Sequence, residues 1–494
     1  MDSKELVNRG TEILEMIANY WETQRDRFPQ PDVLPNYLEA LVPSSPPDSP
    51  ESWETVLEDI EKAILPGHAN WLHPNFYGYF PFAQSTPSLL ADLLCGGLSG
   101  VGFTWKSSPV MSELEAVVLD WLVEALHLPE KWKHSHSGPG CGIIQSTSSD
   151  STFIAFLAAR ARAVEWNLTG SENEPTDETE DDPEIFTHPL HSPKNFDKLI
   201  AYCSDQAHSA IFKAAMLSGV KVRKLKSERD AKLGNYAVTA KTFEEAIKKD
   251  RALGRTPFLF VATIGTTGTC GVDHVEDLVK TCQRERIWLH VDAAYAGSFL
   301  LCPEFSSYLG VGLDSVDSFN YNAHKSMMVN FDCSPMWFTD ARSAVRYFNV
   351  DIDILRHEHQ DKTIDFRHLQ IALGRRFRSL KLWFVMRLIG VDKIGDSLRK
   401  RCAQATFFAD LIEKSDLFEM FVPPHLGLVC FRLKNSTNEE NEKLKKLIDE
   451  DRRLMITPSI THGDFYFRMA IGAQQTTDED LRSAFQILTQ LAQV

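Results

Sequence analysis

The chain has 494 residues, of which 43% are hydrophobic, and a formal net charge of -16. That length can bury a large core spread over two or three domains. The acidic excess excludes a nucleic-acid binder, which needs clustered Lys and Arg, and nine scattered cysteines without a C-x-x-C pair exclude a disulfide framework.

The N-terminus, Met1-Asp2-Ser3-Lys4-Glu5, is polar and leads into a helical pattern, with neither a signal-peptide core nor a long uncharged apolar span. A cytoplasmic protein is the default expectation, and the glycosylation-like triplet Asn167-Leu168-Thr169 is read as inert. Leu6, Ile13, Leu14, Ile17 and Ala18 recur at helical spacing, and Pro29, Pro31 and Pro35 close that segment. A second helix is predicted from Trp53 to Ile64. Both pieces are too short and amphipathic to stand alone, so they should pack on another surface.

From about residue 110 the pattern alternates. Helices are predicted at Glu113 to Leu126, Thr152 to Val164 and Val275 to Arg286. Apolar strands are predicted at Gly142 to Gln145, Leu199 to Cys203, Val220 to Leu225, Phe258 to Thr263, Ile287 to Asp292 and Asp317 to Tyr321. Continuous apolar strands between amphipathic helices imply a largely parallel sheet covered on both faces, with ligands at the carboxyl ends of the strands. The stretch 166–193 contains the acidic run Ser171 to Glu184 and reads as a solvated insertion. Beyond about residue 396, mixed helix and strand patterns indicate a smaller α+β domain. The expected division is therefore 1–88, 89–395 and 396–494.

Four strand-end motifs carry chemistry. Asn320-Tyr321-Asn322-Ala323-His324-Lys325 puts a lysine where a desolvated pocket could hold its amine neutral enough to attack an aldehyde. In Ile287 to Gly297, Asp292 ends an apolar strand and small residues follow. A buried carboxylate needs a cation, and a protonated pyridine nitrogen would be one, with Ala293 and Ala294 leaving flat space for a ring. Gln145-Ser146-Thr147-Ser148-Ser149-Asp150 joins a strand to a helix, offering backbone N–H groups and hydroxyls to a phosphate. His208, after another strand, could stack on a ring and move protons. Each motif has a structural alternative, such as a helix cap or a packed histidine; the four in this order are far more specific.

With those residues in view, the chain resembles the aromatic-L-amino-acid decarboxylase family of pyridoxal-phosphate (PLP) enzymes along almost its whole length. His290-Val291-Asp292-Ala293-Ala294-Tyr295-Ala296-Gly297, Asn322-Ala323-His324-Lys325, Asn330-Phe331-Asp332-Cys333 and Gly374-Arg375-Arg376-Phe377-Arg378-Ser379-Leu380-Lys381 carry the resemblance. It implies the α/β fold of aspartate aminotransferase (fold type I), with a mainly parallel seven-stranded sheet, and a homodimer whose N-terminal helices wrap the partner. It also implies Lys325 as the Schiff-base lysine, Asp292 as the pyridinium partner and His208 as the ring-stacking histidine. Ser148, Ser149, Asn322 and His324 fall at phosphate positions, and Thr266 and Ala294 beside the ring. Trp71, Tyr79, Phe80, Phe82, Val101, Phe103 and Gly374 resemble the substrate pocket, Val101 and Phe103 reaching over from the partner. Gly374 leaves room for a tryptophan-like substrate, whereas Phe82 stands where the family often has a small hydroxyl residue.

The mobile catalytic loop, about 347–363, departs from the family. Ile354 falls where a catalytic tyrosine is expected, and isoleucine cannot donate a proton. His208, His357 or His359 could replace that donor. The expected activity is decarboxylation of an aromatic L-amino acid to its amine. The alternative is an aromatic aldehyde synthase releasing ammonia and hydrogen peroxide. Two further readings are weaker: a silent, cofactor-free homologue, and a metal site built on His134/His136 or His357/His359, which lack a helix-spaced carboxylate.

Overall fold

The computed structural model describes residues 2–81, 84–169, 190, 192–349, 353–360 and 362–494. Two compact units emerge, Phe82–Cys402, and Met1–Pro81 together with Ala403–Val494. The helix Val391–Glu413 runs through the boundary expected near residue 396.

In the first unit the strands are β1 (Cys141–Gln145), β2 (Leu199–Ser204), β3 (Lys221–Leu225), β4 (Glu228–Arg229), β5 (Tyr236–Ala237), β6 (Thr256–Thr263), β7 (Trp288–Asp292), β8 (Ser318–Asn320) and β9 (Ser334–Phe338). Seven of them form one sheet in the order β1-β9-β8-β7-β6-β2-β3, while β4 and β5 pair as a short antiparallel ribbon. Pairs from β8 to β3 are parallel, and β9 lies antiparallel to both its neighbours. The expected mainly parallel seven-stranded sheet is present. Strands β2, β7 and β8 are buried at every position, as strands covered on both faces must be. Ile143, Phe156, Leu199, Val261 and Phe338 belong to one core between sheet and helices.

The helix Ser148–Thr169 carries the chain past the expected start of the acidic insertion, most of which lies outside the described residues. Of the expected mobile loop, Tyr347 and Phe348 end the helix Arg342–Phe348, and Asp353–Leu355 is a single 3-10 turn.

Behind β1 the Glu115 carboxylate accepts the Ile144 N–H at 2.8 Å and pairs with Arg375, whose guanidinium also donates to Gln370 Oε1 at 2.6 Å. Both charged side chains are buried. Glu115→Ala would leave a buried guanidinium without its counter-ion, so a loss of about 3–5 kcal/mol is expected, read as a lower urea midpoint.

The second unit holds a four-stranded antiparallel sheet of β10 (Phe418–His425), β11 (Leu428–Leu433), β12 (Thr457–Thr461) and β13 (Asp464–Ala470), in the order β10-β11-β13-β12. Its core gathers Tyr77, Phe408, Phe431, Phe467 and Leu488. The helix Ser3–Glu22 buries none of its residues, although its apolar positions follow a helical stripe.

Candidate active site

Parallel strands place their carboxyl ends on one side of the sheet, and the strand-end motifs of Asp292, Asn320 and Asn322 meet there. The register pairs Thr263 with Asp292 and Asp292 with Asn320, so the ends of β6, β7 and β8 lie level. Ala293 N–H donates to Asn320 O at 2.9 Å and Asn322 N–H to Ala294 O at 3.1 Å, tying the turn after Asp292 to the segment that leads into Lys325. Gly297 lets that turn close: a Cβ there would sit 2.4 Å from Tyr321 Cβ.

Asp292 is 4% exposed, and its Oδ1 accepts the Ala294 N–H at 3.0 Å. Its Oδ2 accepts no hydrogen bond from the described residues. Burial raises the carboxyl pKa, while Lys325, the Ala294 N–H and His208 pull it down. His208 keeps much of its surface exposed, yet the protein packed around its ring lowers its pKa by desolvation; Asp292 opposes this and Lys325 adds to it. The three groups therefore share one electrostatic site. His208 Nδ1 accepts the Ala210 N–H at 3.1 Å, which puts the proton of the neutral ring on Nε2.

The anion turn is built around an asparagine. Ser148 donates to Asn322 Oδ1 from its backbone N at 3.1 Å and from its hydroxyl at 3.0 Å, and Asn320 Nδ2 donates to Ser148 Oγ at 2.6 Å. Ser149 is exposed on the first turn of the following helix. Thr147 is that helix's cap: its hydroxyl accepts the Asp150 N–H at 3.3 Å and donates to the Asp150 carboxylate at 2.9 Å. His324 is buried, and its pKa falls to about 3, first through desolvation and then through Lys325. Its Nδ1 lies 2.9 Å from both the N and the O of Cys333, whose backbone fixes the ring. Thr266 is buried in a tight turn, its hydroxyl accepting the Gly271 N–H at 2.8 Å.

A family model for the pyridoxal-dependent decarboxylase conserved domain matches residues 35–434. The chain belongs to the pyridoxal-dependent decarboxylase family. It is 41% identical over 494 residues to an aromatic-L-amino-acid decarboxylase of Cavia porcellus, covering 100% of this chain and 98% of that one. Among solved structures it resembles Catharanthus roseus tryptophan decarboxylase in complex with L-tryptophan (32% identity, TM-score 0.88) and Rhodiola rosea 4-hydroxyphenylacetaldehyde synthase (31% identity, TM-score 0.88). Each comparison covers 100% of this chain and 99% of the other. The expected family, fold and PLP cofactor are thus borne out.

The residues of this decarboxylase fit PLP on their own geometry. The open Oδ2 of a buried Asp292 is the partner a pyridinium N–H requires, and Ser149, exposed on the first turn of the helix that Thr147 caps, offers a neutral donor suited to a phosphate. Asn320, given no role from sequence, positions Ser148; its signal was the two-residue strand period that aligns it with Asn322.

The pocket residues fall into two groups. Trp71 and Tyr79 stack with ring centroids 5.3 Å apart, and the Arg468 guanidinium lies 5.1 Å from the ring of buried Phe80. In the other unit, a Cβ on Gly374 would meet Val101 Cγ1 at 3.6 Å, an ordinary contact, and Phe103 is half-buried. Phe82 lies outside the described residues. Ile354 is 86% exposed on its 3-10 turn. Among the described residues no His, Cys, Asp and Glu cluster could hold a metal ion.

Proposed function

We propose that this decarboxylase acts on an aromatic L-amino acid of tryptophan size and releases the corresponding amine and carbon dioxide. The observation that carries the reading is the buried Asp292 carboxylate, open at Oδ2 and electrostatically linked to Lys325 and His208. PLP, when bound, supplies an aldehyde for the substrate amine and a ring that accepts the electrons left by carbon dioxide.

The chain's residues do the rest. Lys325 would hold the cofactor through its side-chain amine. Asp292 would hold a positive charge on the ring nitrogen. Ser148, Ser149, Asn322 and His324 would anchor the phosphate, with Thr147 shaping the turn as its cap and Thr266 and Ala294 placed to flank the ring. His208 would pack against the ring and, once it has itself taken up a proton, could pass one to the carbon that lost its carboxylate. The stacked Trp71 and Tyr79 and buried Phe80 of one unit are groups that suit an aromatic side chain, and in the other unit Gly374 leaves space beside Val101.

A homodimer and a cytoplasmic location belong to the same proposal. Leu90, Leu93, Leu94 and Leu98 are exposed along one stripe of the helix Thr86–Leu98, which suits a subunit interface. All nine cysteines are free thiols, in keeping with a reducing compartment. No helix among the described residues is long and apolar enough to cross a membrane.

Ile354 supports a second reading, in which dioxygen and water convert the same substrate into aldehyde, carbon dioxide, ammonia and hydrogen peroxide. Purified holoenzyme should be incubated with tryptophan, tyrosine, phenylalanine and DOPA while amine, aldehyde and peroxide are measured together. Tryptamine without matching peroxide is the expected result. Stoichiometric peroxide and aldehyde would replace the first reading with the second, and no product from any of the four would remove both.

A further inference from the structure

The 101–107 segment bears two pocket residues, and it also seats the catalytic loop. Its own fold is held by Thr104 and Ser107, which exchange backbone-to-hydroxyl bonds of 3.1 Å each way, and by the Ser107 hydroxyl donating to Val101 O at 3.0 Å. Gly102 N–H donates to Arg375 O at 3.3 Å, fixing the segment beside Gly374. Trp105 projects from this small frame. Its backbone N–H donates to Asp365 Oδ1 at 2.8 Å, and its indole Nε1 donates to Glu113 at 2.9 Å.

The loop residues 353–360 close around that indole. His357 lies nearly parallel to it, with centroids 6.4 Å apart and planes at 27°, and His359 meets it edge-on at 5.0 Å and 86°. His357 Nδ1 accepts the His359 N–H at 3.3 Å, so the neutral ring carries its proton on Nε2, which donates to the Asp365 carboxylate at 3.2 Å. Asp365 thus holds Trp105 and His357 together, and both carboxylate and imidazole are almost fully enclosed. Lys106 adds an outer ion pair to Glu358 at 3.1 Å. Exposed pairs of that kind contribute little, so the enclosed contacts hold the loop: the indole against both histidines and Asp365 against His357.

We infer that Trp105 is a positioning residue for the decarboxylation: its indole latches the 353–360 loop onto the segment that carries Val101 and Phe103. Pocket wall and loop then move as one piece, and position 354 is presented to the reacting centre only while the latch is closed. This rests on the assignment of the loop to catalysis. The latch itself is tested without substrate.

Arg356 is 60% exposed and gives trypsin a site within the loop. In holoenzyme Trp105→Ala, cleavage after Arg356, followed by mass spectrometry, should accelerate about tenfold or more. Over the same comparison kcat should fall at least about tenfold while KM moves less than about threefold. The thermal midpoint and visible cofactor absorbance should stay near wild type. Trp105→Phe keeps the ring contacts and should recover most of the protection and the turnover. His359→Ala removes only the edge contact and should shift cleavage in the same direction by less; it serves if Trp105→Ala does not fold. Wild-type cleavage rates in both Trp105→Ala and His359→Ala would overturn the inference. So would faster cleavage in Trp105→Ala with kcat unchanged, since the latch would then not serve the reaction.

Discussion

Lys325→Ala is expected to lower kcat by roughly 10⁴-fold or more, because it removes the nucleophile that joins the cofactor to the chain. The side chain leaves a one-turn helix, Ala323–Ser326, whose approach is fixed on both sides. Asn322 before it bonds to Ala294 O and to Ser148, and His324 is held by Cys333. The amine is therefore delivered from a rigid frame that the substitution leaves in place. Borohydride reduction of wild-type holoenzyme should fix the cofactor to the peptide containing Lys325. The variant should retain its thermal midpoint but yield no adduct. Lys325→Arg should fail nearly as badly, since a guanidinium stays protonated and cannot become the attacking amine. An adduct on another lysine would remove the central assignment and with it the proposed roles of Asp292 and His208.

Much of this site was legible because its chemistry sits where strand patterns end. All six predicted strands of the large sheet are present within a residue or two of their expected limits. Asp292 and Lys325 could be placed from the apolar runs that stop just before them. The antiparallel β9 was not foreseen. It is short, and Pro335 at its second position argues against a central strand. The sheet tolerates that proline because it needs only to accept there: Pro335 O takes the Tyr321 N–H at 3.1 Å. β10 likewise gave no clear signal, since Pro423 and Pro424 interrupt its pattern and its pairing with β11 is irregular.

Thr147 shows the opposite limit. Its residue type suits a phosphate turn and a helix cap equally, and only the folded turn reveals the reciprocal bonds with Asp150 that make it a cap. The Trp105 latch lay beyond sequence reasoning for another reason. Asp365 and Trp105 are 260 residues apart in the chain, and nothing local in either neighbourhood announces the contact. Residues that touch ligands stand at element ends and can be found by pattern; residues that hold other residues are fixed by tertiary packing.

Asp292→Asn keeps the shape of the site and removes its charge, so it isolates what that carboxylate contributes. Oδ1 takes the Ala294 N–H, and an asparagine oxygen can do the same, leaving the turn intact. The other position changes from an acceptor to an N–H₂ donor, which cannot pair with a protonated ring nitrogen. Burial already raises the Asp292 carboxyl, so the charged form is held at a cost that only a nearby cation offsets; Lys325 and His208 supply part of that offset. A pyridinium supplies more, and the same attraction works in reverse to keep the ring protonated. With the amide in place a bound ring would no longer be held protonated and would be a poorer acceptor of the electrons freed with carbon dioxide. A fall in kcat of about 10²–10³-fold is expected, the scale of deleting one preorganised electrostatic contact. Cofactor affinity should also weaken, measured by titrating the apoenzyme and following visible absorbance. Asp292→Glu, which keeps the charge but displaces it, should recover part of the rate. An Asp292→Asn enzyme that turned over within a few-fold of wild type would show that the ring needs no charge from this strand end, and the electrostatic account of the site would fail.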